Sequence, residues 1–149
     1  MDDRPTLDQI NIVVRDVGAA VEFYRLLGVA VDDPPAPWTD HHRTVESPEG
    51  VDLEIDSGRF APHWNEGWPD GRTGTVLGFR VTDRETVDAI YTRLTGAGHH
   101  GQQPPYDAFW GSRYAIVADP DGNAVGIMSA ADPARRKPPP DPDSASGGG

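Results

Sequence analysis

The chain of 149 residues contains no cysteine. That excludes a disulfide framework, a thiolate metal site and a cysteine nucleophile. No apolar run approaches the roughly 20 residues a bilayer-crossing helix needs, in keeping with a mean hydropathy of -0.56. The opening residues, Met1-Asp2-Asp3-Arg4-Pro5, lack the apolar stretch of a secretory signal, so a cytoplasmic protein is expected. Lysine occurs once, at Lys137, and 13 basic residues face 24 acidic ones for a net charge of -11. Such a field repels nucleic acid and favours either plain solubility or a cationic small molecule. No glycine-rich phosphate loop joins a strand to a helix, so a nucleotide is not expected. Gly111-Ser112 lacks the Gly-x-Ser-x-Gly setting of an exposed serine nucleophile.

What is present is a segment written twice. Ile10, Ile12, Val14, Asp16, Ala20, Phe23, Tyr24 and Leu27 return, 67 positions on, as Leu77, Phe79, Val81, Asp83, Val87, Ile90, Tyr91 and Leu94. Each copy alternates like a half-buried strand, passes an acidic turn, and continues with helical apolar spacing. The repeat predicts two similar modules rather than a solenoid.

In the first copy, residues 7–15 read as a strand with Gln9, Asn11, Val13 and Arg15 on one face. Asp16 is the expected helix N-cap and Gly28 the left-handed stop. A short strand is expected over 29–32. Pro34, Pro35 and Pro37 force a loop, and strands follow at 41–47 and 51–56. In the last of these Asp52, Glu54 and Asp56 share a face. In the second copy the strand falls at 75–81, with Thr82 as cap and Glu85 completing a capping box. The helix runs to about Leu94, a proline-containing loop is expected over 102–107, and strands over 113–118 and 124–129. The division is therefore an extension (1–6), a first βαβββ module (7–56), an aromatic linker (57–74), a second βαβββ module (75–131) and a disordered tail (132–149).

The order of these motifs resembles a known family. The paired modules, Asp16 with Phe23-Tyr24-Arg25 and Leu27-Gly28, and the Asp119-Pro120-Asp121-Gly122-Asn123 turn before the last strand resemble the vicinal oxygen chelate superfamily. That group includes glyoxalase I, extradiol dioxygenases, fosfomycin-resistance enzymes and bleomycin-resistance proteins. The resemblance covers about residues 7–129. Trp110-Gly111 with Arg113 and the Asp-Pro-Asp-Gly-Asn turn is most similar to the bleomycin-resistance branch. The resemblance implies an α+β fold of two tandem βαβββ modules, curved mixed sheets around a cleft, helices outside, and often a homodimer.

The resemblance also implies four metal-ligand positions, which fall on Gln9, Glu54, Val76 and Gly126. Only Glu54 is a good ligand, whereas a divalent catalytic ion wants about three imidazole or carboxylate groups. The expectation is a cleft without a metal cofactor, the alternative being a divalent ion held by Gln9, His42 and Glu54. Without metal the cleft becomes a pocket for a planar, cationic or amphipathic small molecule of antibiotic type. Its expected lining is Gln9, Asn11, Trp38, His42, Glu54, Trp64, Trp68, Phe109, Trp110, Arg113 and Met128. Aromatic faces stack planar groups and attract cations. Arg80 shares the face of Val76 and is expected either to pair with an acid or, with Arg113, to admit an anionic ligand. The alternative to capture is an enzyme (a lyase, isomerase or dioxygenase) with no catalytic residue assigned beyond Glu54 acting as a base.

Overall fold

The computed structural model describes residues 4–144, with strands β1 (Thr6–Val14), β2 (His42–Val45), β3 (Asp52–Ser57), β4 (Gly74–Val81), β5 (Gly101–Asp107), β6 (Arg113–Ala118) and β7 (Ala124–Ser129). The helices are α1 (Val17–Leu27), α2 (Ala61–Trp64) and α3 (Arg84–Gly96). The described chain divides into two units: residues 9–75 with 141–144, and residues 4–8 with 76–140. The architecture is α+β, and the 67-residue repeat is its basis. Among the described residues no helix is long and apolar enough to cross a membrane.

In the N-terminal unit β3 lies between β1, to which it runs parallel, and antiparallel β2. Asp16 caps α1 by accepting the Ala19 N–H at 3.0 Å, and Gly28 closes it at φ 108°. Val17 and Val21 on α1 pack with Val31 and Ile55, and Ile12, Val14 and Leu53 flank them. Burying such side chains is worth roughly 1.5–3 kcal/mol each, so this apolar face fixes which side of the sheet the helix covers. The strand expected over 29–32 does not form, leaving this module one strand short of the βαβββ pattern. Its backbone is satisfied by arginines instead: Arg25 donates to the Val31 carbonyl, and Arg43 to that of Asp32 at 3.0 Å. Backbone groups bonded to side chains have no need of a ladder.

The C-terminal unit has the order β4–β7–β6–β5, with β4 parallel to β7 and the other pairs antiparallel. Helix α3 packs Val87 against Val81, Ala115, Val117 and Ile127. Its cap is Asp83 rather than Thr82: the carboxylate takes both the N–H and the hydroxyl of Thr86, at 2.8 and 2.6 Å. The loop expected over 102–107 is strand β5. Being at the sheet edge, with two register shifts, it tolerates Pro104 and Pro105 where no ladder donor is needed.

The linker and tail also differ from expectation. Residues 57–74 contain helix α2, and residues 132–144, expected to be disordered, include a 3-10 turn at Pro133–Arg135 and a buried Pro142. Gly111, at φ 101°, sits against the backbone of Asp132, whose N–H donates to the Gly111 carbonyl at 3.1 Å. A Cβ at this position would overlap the Asp132 carbonyl oxygen, which is main chain and does not swing aside. Gly111→Ala is expected to lower stability by at least about 2 kcal/mol, from left-handed strain plus the overlap. Urea unfolding at one pH checks this; a loss below about 0.5 kcal/mol would show that the 111–132 contact does not hold.

Candidate functional site

Side chains alternate across a strand, so the face of the N-terminal sheet away from α1 carries Gln9, Asn11 and Val13 from β1. The same face takes Asp52, Glu54 and Asp56 from β3, and His42 and Thr44 from β2. The register sets Asn11 beside Glu54, Thr44 opposite Glu54 and His42 opposite Asp56. Adjacent strands lie about 4.8 Å apart, so short polar side chains meet across the face.

They form one connected row. The Gln9 amide donates to Asn11 Oδ1 at 3.0 Å, and Asn11 Nδ2 donates to Asp56 Oδ2 at 2.9 Å. The other Asp56 oxygen lies 2.5 Å from His42 Nδ1. His42 Nε2 is 3.3 Å from Thr44 Oγ1 and 3.4 Å from Glu54 Oε2. The Thr44 hydroxyl donates to Glu54 Oε2 at 2.6 Å. Asp56, 1% exposed, anchors the row and orients the imidazole, which is one-third exposed. Asp52 stands aside: its carboxylate takes the Ser47 N–H at 2.7 Å and braces the turn into β3.

Burial alone would disfavour a charged His42. The hydrogen bond and charge of Asp56, with the charge of Glu54, outweigh it and hold the ring's pKa above its ordinary 6.5. For Glu54 burial wins. The Thr44 hydrogen bond and His42 pull its pKa down, Asp56 and Asp52 push it up, and it lies at about 7 against an ordinary 4.5. A carboxyl group poised near neutrality can hold or release a proton at working pH.

Trp38 reaches this row at one remove. It lies in a 3-10 turn, Trp38–Asp40, edge-on to Phe60 at 5.1 Å, and Phe60 in turn is 5.7 Å from the His42 ring. Trp64 and Trp68 are both buried. They are 4% and 6% exposed, 6.4 Å apart, and Trp68 Nε1 donates to the Arg72 carbonyl at 2.9 Å. A concavity of about 350 Å³ lies beside α1, lined by Val21, Leu26, Arg25 and Arg43 among others. Both arginines there are paired with Asp33, at 3.1 and 2.8 Å, and the polar row is on the opposite face of the sheet.

In the C-terminal unit the corresponding face carries Val76, Gly78 and Arg80 from β4, Gly126 and Met128 from β7, and Tyr114 and Ile116 from β6. Trp110 joins it: its indole N–H points at Met128 Sδ at 3.3 Å, and its ring lies 5.5 Å from Tyr114 and 5.1 Å from Phe109. Phe109, Trp110 and Met128 are thus brought together. Arg113 is not with them. Odd positions of β6 face α3, so its guanidinium pairs with Asp88 at 2.9 Å and Asp107 at 3.3 Å. Arg80 lies 3.1 Å from Asp8, an acid on the neighbouring stretch of chain 4–8 of the same unit.

The metal-ligand positions implied by the fold do not suit a divalent ion. Val76 is a fully buried hydrocarbon. At Gly126 any Cβ would come within 2.9 Å of the Tyr114 ring, so this position has no room for a ligating side chain. In the alternative set, the Gln9 amide nitrogen, His42 Nδ1 and Glu54 Oε2 are engaged by Asn11, Asp56 and Thr44 respectively. Among the described residues no three His, Cys, Asp or Glu side chains are placed to hold a metal ion. Sequence reasoning missed Thr44, Phe60 and the anchoring role of Asp56. The first and last were within reach, since Thr44 shares a face with His42 by alternation and Asp56 belongs to the acidic row.

Comparison with known proteins agrees with this architecture. Residues 6–127 match the family model described as the Glyoxalase/Bleomycin resistance protein/Dioxygenase superfamily. No curated protein matches the sequence. Among solved structures, the NAD-dependent benzaldehyde dehydrogenase from Legionella pneumophila superposes with a TM-score of 0.60 at 20% identity, over 81% of this chain and 96% of that one. Methylmalonyl-CoA epimerase from Mycobacterium tuberculosis gives 0.55 at 21% identity, over 85% and 88%. The Mn(II)-bound glyoxalase from Novosphingobium aromaticivorans gives 0.57 at 15% identity, over 83% of this chain and 38% of that one. At these identities the likeness is one of fold.

Proposed function

Because the chain belongs to the glyoxalase/bleomycin resistance protein/dioxygenase superfamily, whose members bind small molecules, we propose that it captures a small molecule without a resident metal ion. The reading places it nearest the bleomycin-resistance type, as a cytoplasmic homodimer that sequesters a planar cationic or amphipathic ligand. The polar row carries the reading. Glu54 commits one carboxylate oxygen to Thr44 and His42, and its other oxygen has no bonded partner among the described residues. A ligand ammonium or amidinium is the natural donor to that oxygen, and it would draw the Glu54 proton off as it binds. The acidic body steers cations toward the protein.

Tryptophan quenching by cationic, neutral and anionic polycyclic compounds tests this, alongside elemental analysis of the purified protein. Cationic members should bind at micromolar concentration. Glu54→Gln should weaken them by about tenfold or more, equivalent to roughly 1.4 kcal/mol. A stoichiometric divalent ion, or silence across the whole panel, would overturn the reading.

A second reading is acid–base catalysis on a small molecule, favoured by the burial of Glu54, which pushes its carboxyl up to about 7, where a general base works best. It separates cleanly from the first. In a catalyst, Glu54→Gln abolishes turnover while ligand affinity stays within a few-fold.

A further inference from the structure

Residues 141–144 close on themselves as a small turn. The Asp143 N–H donates to Asp141 Oδ1 at 3.0 Å, and the Ser144 N–H and hydroxyl reach the Asp141 carbonyl at 3.1 and 2.7 Å. Three side chains of the N-terminal unit grip this turn. His41 Nε2 lies 2.6 Å from Asp143 Oδ1, Arg59 Nη2 donates to the Asp143 carbonyl at 3.0 Å, and His63 Nε2 is 3.1 Å from the Ser144 carbonyl. Pro142 between them is fully buried.

Each grip is one step from the polar row. His41 directly precedes His42. Its other ring nitrogen is 2.8 Å from Ser57 Oγ, and its carbonyl takes the Ser57 N–H at 2.9 Å, beside Asp56. The Phe60 ring stands between the other histidines, 6.1 Å from His63 and 5.7 Å from His42. The polypeptide thus passes more than 80 residues beyond this corner and returns to it, with contacts spanning 102, 84 and 81 positions.

We propose that residues 141–144 are a strap that clamps the His42 end of the polar row, so that strap attachment and His42 placement are energetically coupled. The strap suits the task. It is short and mostly exposed, and a few side-chain hydrogen bonds hold it, so it opens far more readily than the sheet beneath. Released, it frees His41 and the Phe60 flank; attached, it holds both against β2 and β3. Coupling of this kind is reciprocal: what loosens one end must loosen the other. The inference does not depend on whether the row captures or transforms its ligand.

Amide hydrogen exchange on the full-length protein tests it. The variants are Asp143→Ala, a chain ending at Pro140, and His42→Gln, with Arg135→Ala as a tail control outside the clamp. In the wild type the Asp143 and Ser144 amides should be protected. Asp143→Ala and the shortened chain should each speed exchange across residues 41–45 by about tenfold, leaving α3 unchanged, and Arg135→Ala should do neither. His42→Gln should in turn speed exchange at Ser144. Wild-type exchange at residues 41–45 in both strap variants would overturn the proposal. So would unprotected strap amides in the wild type, or unaltered Ser144 exchange in His42→Gln.

Discussion

Replacing Glu54 with glutamine is expected to stabilise the protein at pH 8 by about 3 kcal/mol and to leave it nearly unchanged at pH 4.5. The sign follows from which state holds the proton. Folding raises the Glu54 pKa from 4.5 to about 7. Below 4.5 both states are protonated and the residue is neutral in the balance. Between 4.5 and 7 the unfolded chain loses the proton while the native protein keeps it, so stability falls as pH rises. Above 7 the whole penalty is in place. Glutamine keeps an acceptor for the Thr44 hydroxyl and never ionises. His42 acts in the same direction: its raised pKa contributes stability that is full below 6.5 and lost as pH climbs through the folded value. At the acid end Asp33, Asp83 and Asp119 are held low, chiefly by hydrogen bonds to Arg25, Thr86 and Asn123. Their contribution is present above 3.8 and fades as pH drops below it. The wild type should therefore be most stable near about pH 5. Urea unfolding of both proteins from pH 4.5 to 8.5 checks the slope, and parallel curves would refute the burial of Glu54.

The opposite outcome is expected at the other end of the row. Asp56→Ala should cost about 3–5 kcal/mol, because it strips the acceptor from two groups at once and leaves a partly buried imidazolium without its counter-charge. Both carboxylate oxygens are in use, on Asn11 and His42, and the residue is 1% exposed. Asp56→Asn, which keeps the volume and one acceptor, should lose appreciably less. The His42 pKa should drop below its wild-type value in both variants, as followed by NMR titration of the ring. A loss under about 1 kcal/mol in Asp56→Ala, with His42 unmoved, would mean that the row does not exist in solution.

These two carboxylates are two residues apart on one strand, and their difference illustrates what a local pattern can carry. Alternation places Glu54 and Asp56 on one face of β3 and Gln9 and Asn11 on one face of β1, since side chains must alternate wherever a strand forms. It does not say that β3 sits between β1 and β2, which is what pairs Asp56 with His42 and Glu54 with Thr44. Arg113 shows the limit from the other side. Strand β6 is apolar on both faces, with Tyr114 and Ile116 on one and Ala115 and Val117 on the other, all buried. Periodicity there identifies no outward face. Only the position of α3, bringing Asp88 to the guanidinium, turns Arg113 toward the helix. Trp64 and Trp68 make a related point: they are buried, and whether a loop indole is buried depends on what lies beneath the loop, which local sequence does not say.

From the amino-acid order alone come the twofold module, the helix caps at Asp16 and Gly28, the split of each first strand into an apolar and a polar face, and the unsuitability of positions 76 and 126 as ligands. All of these rest on interactions within a few residues or on the chemistry of one side chain. The tertiary structure alone decided the linked row from Gln9 to Glu54, the near-neutral titration of Glu54, and the return of residues 141–144 to His41. Each of these needs groups distant in sequence to meet in a desolvated place, and burial belongs to the assembled fold rather than to any stretch of the chain.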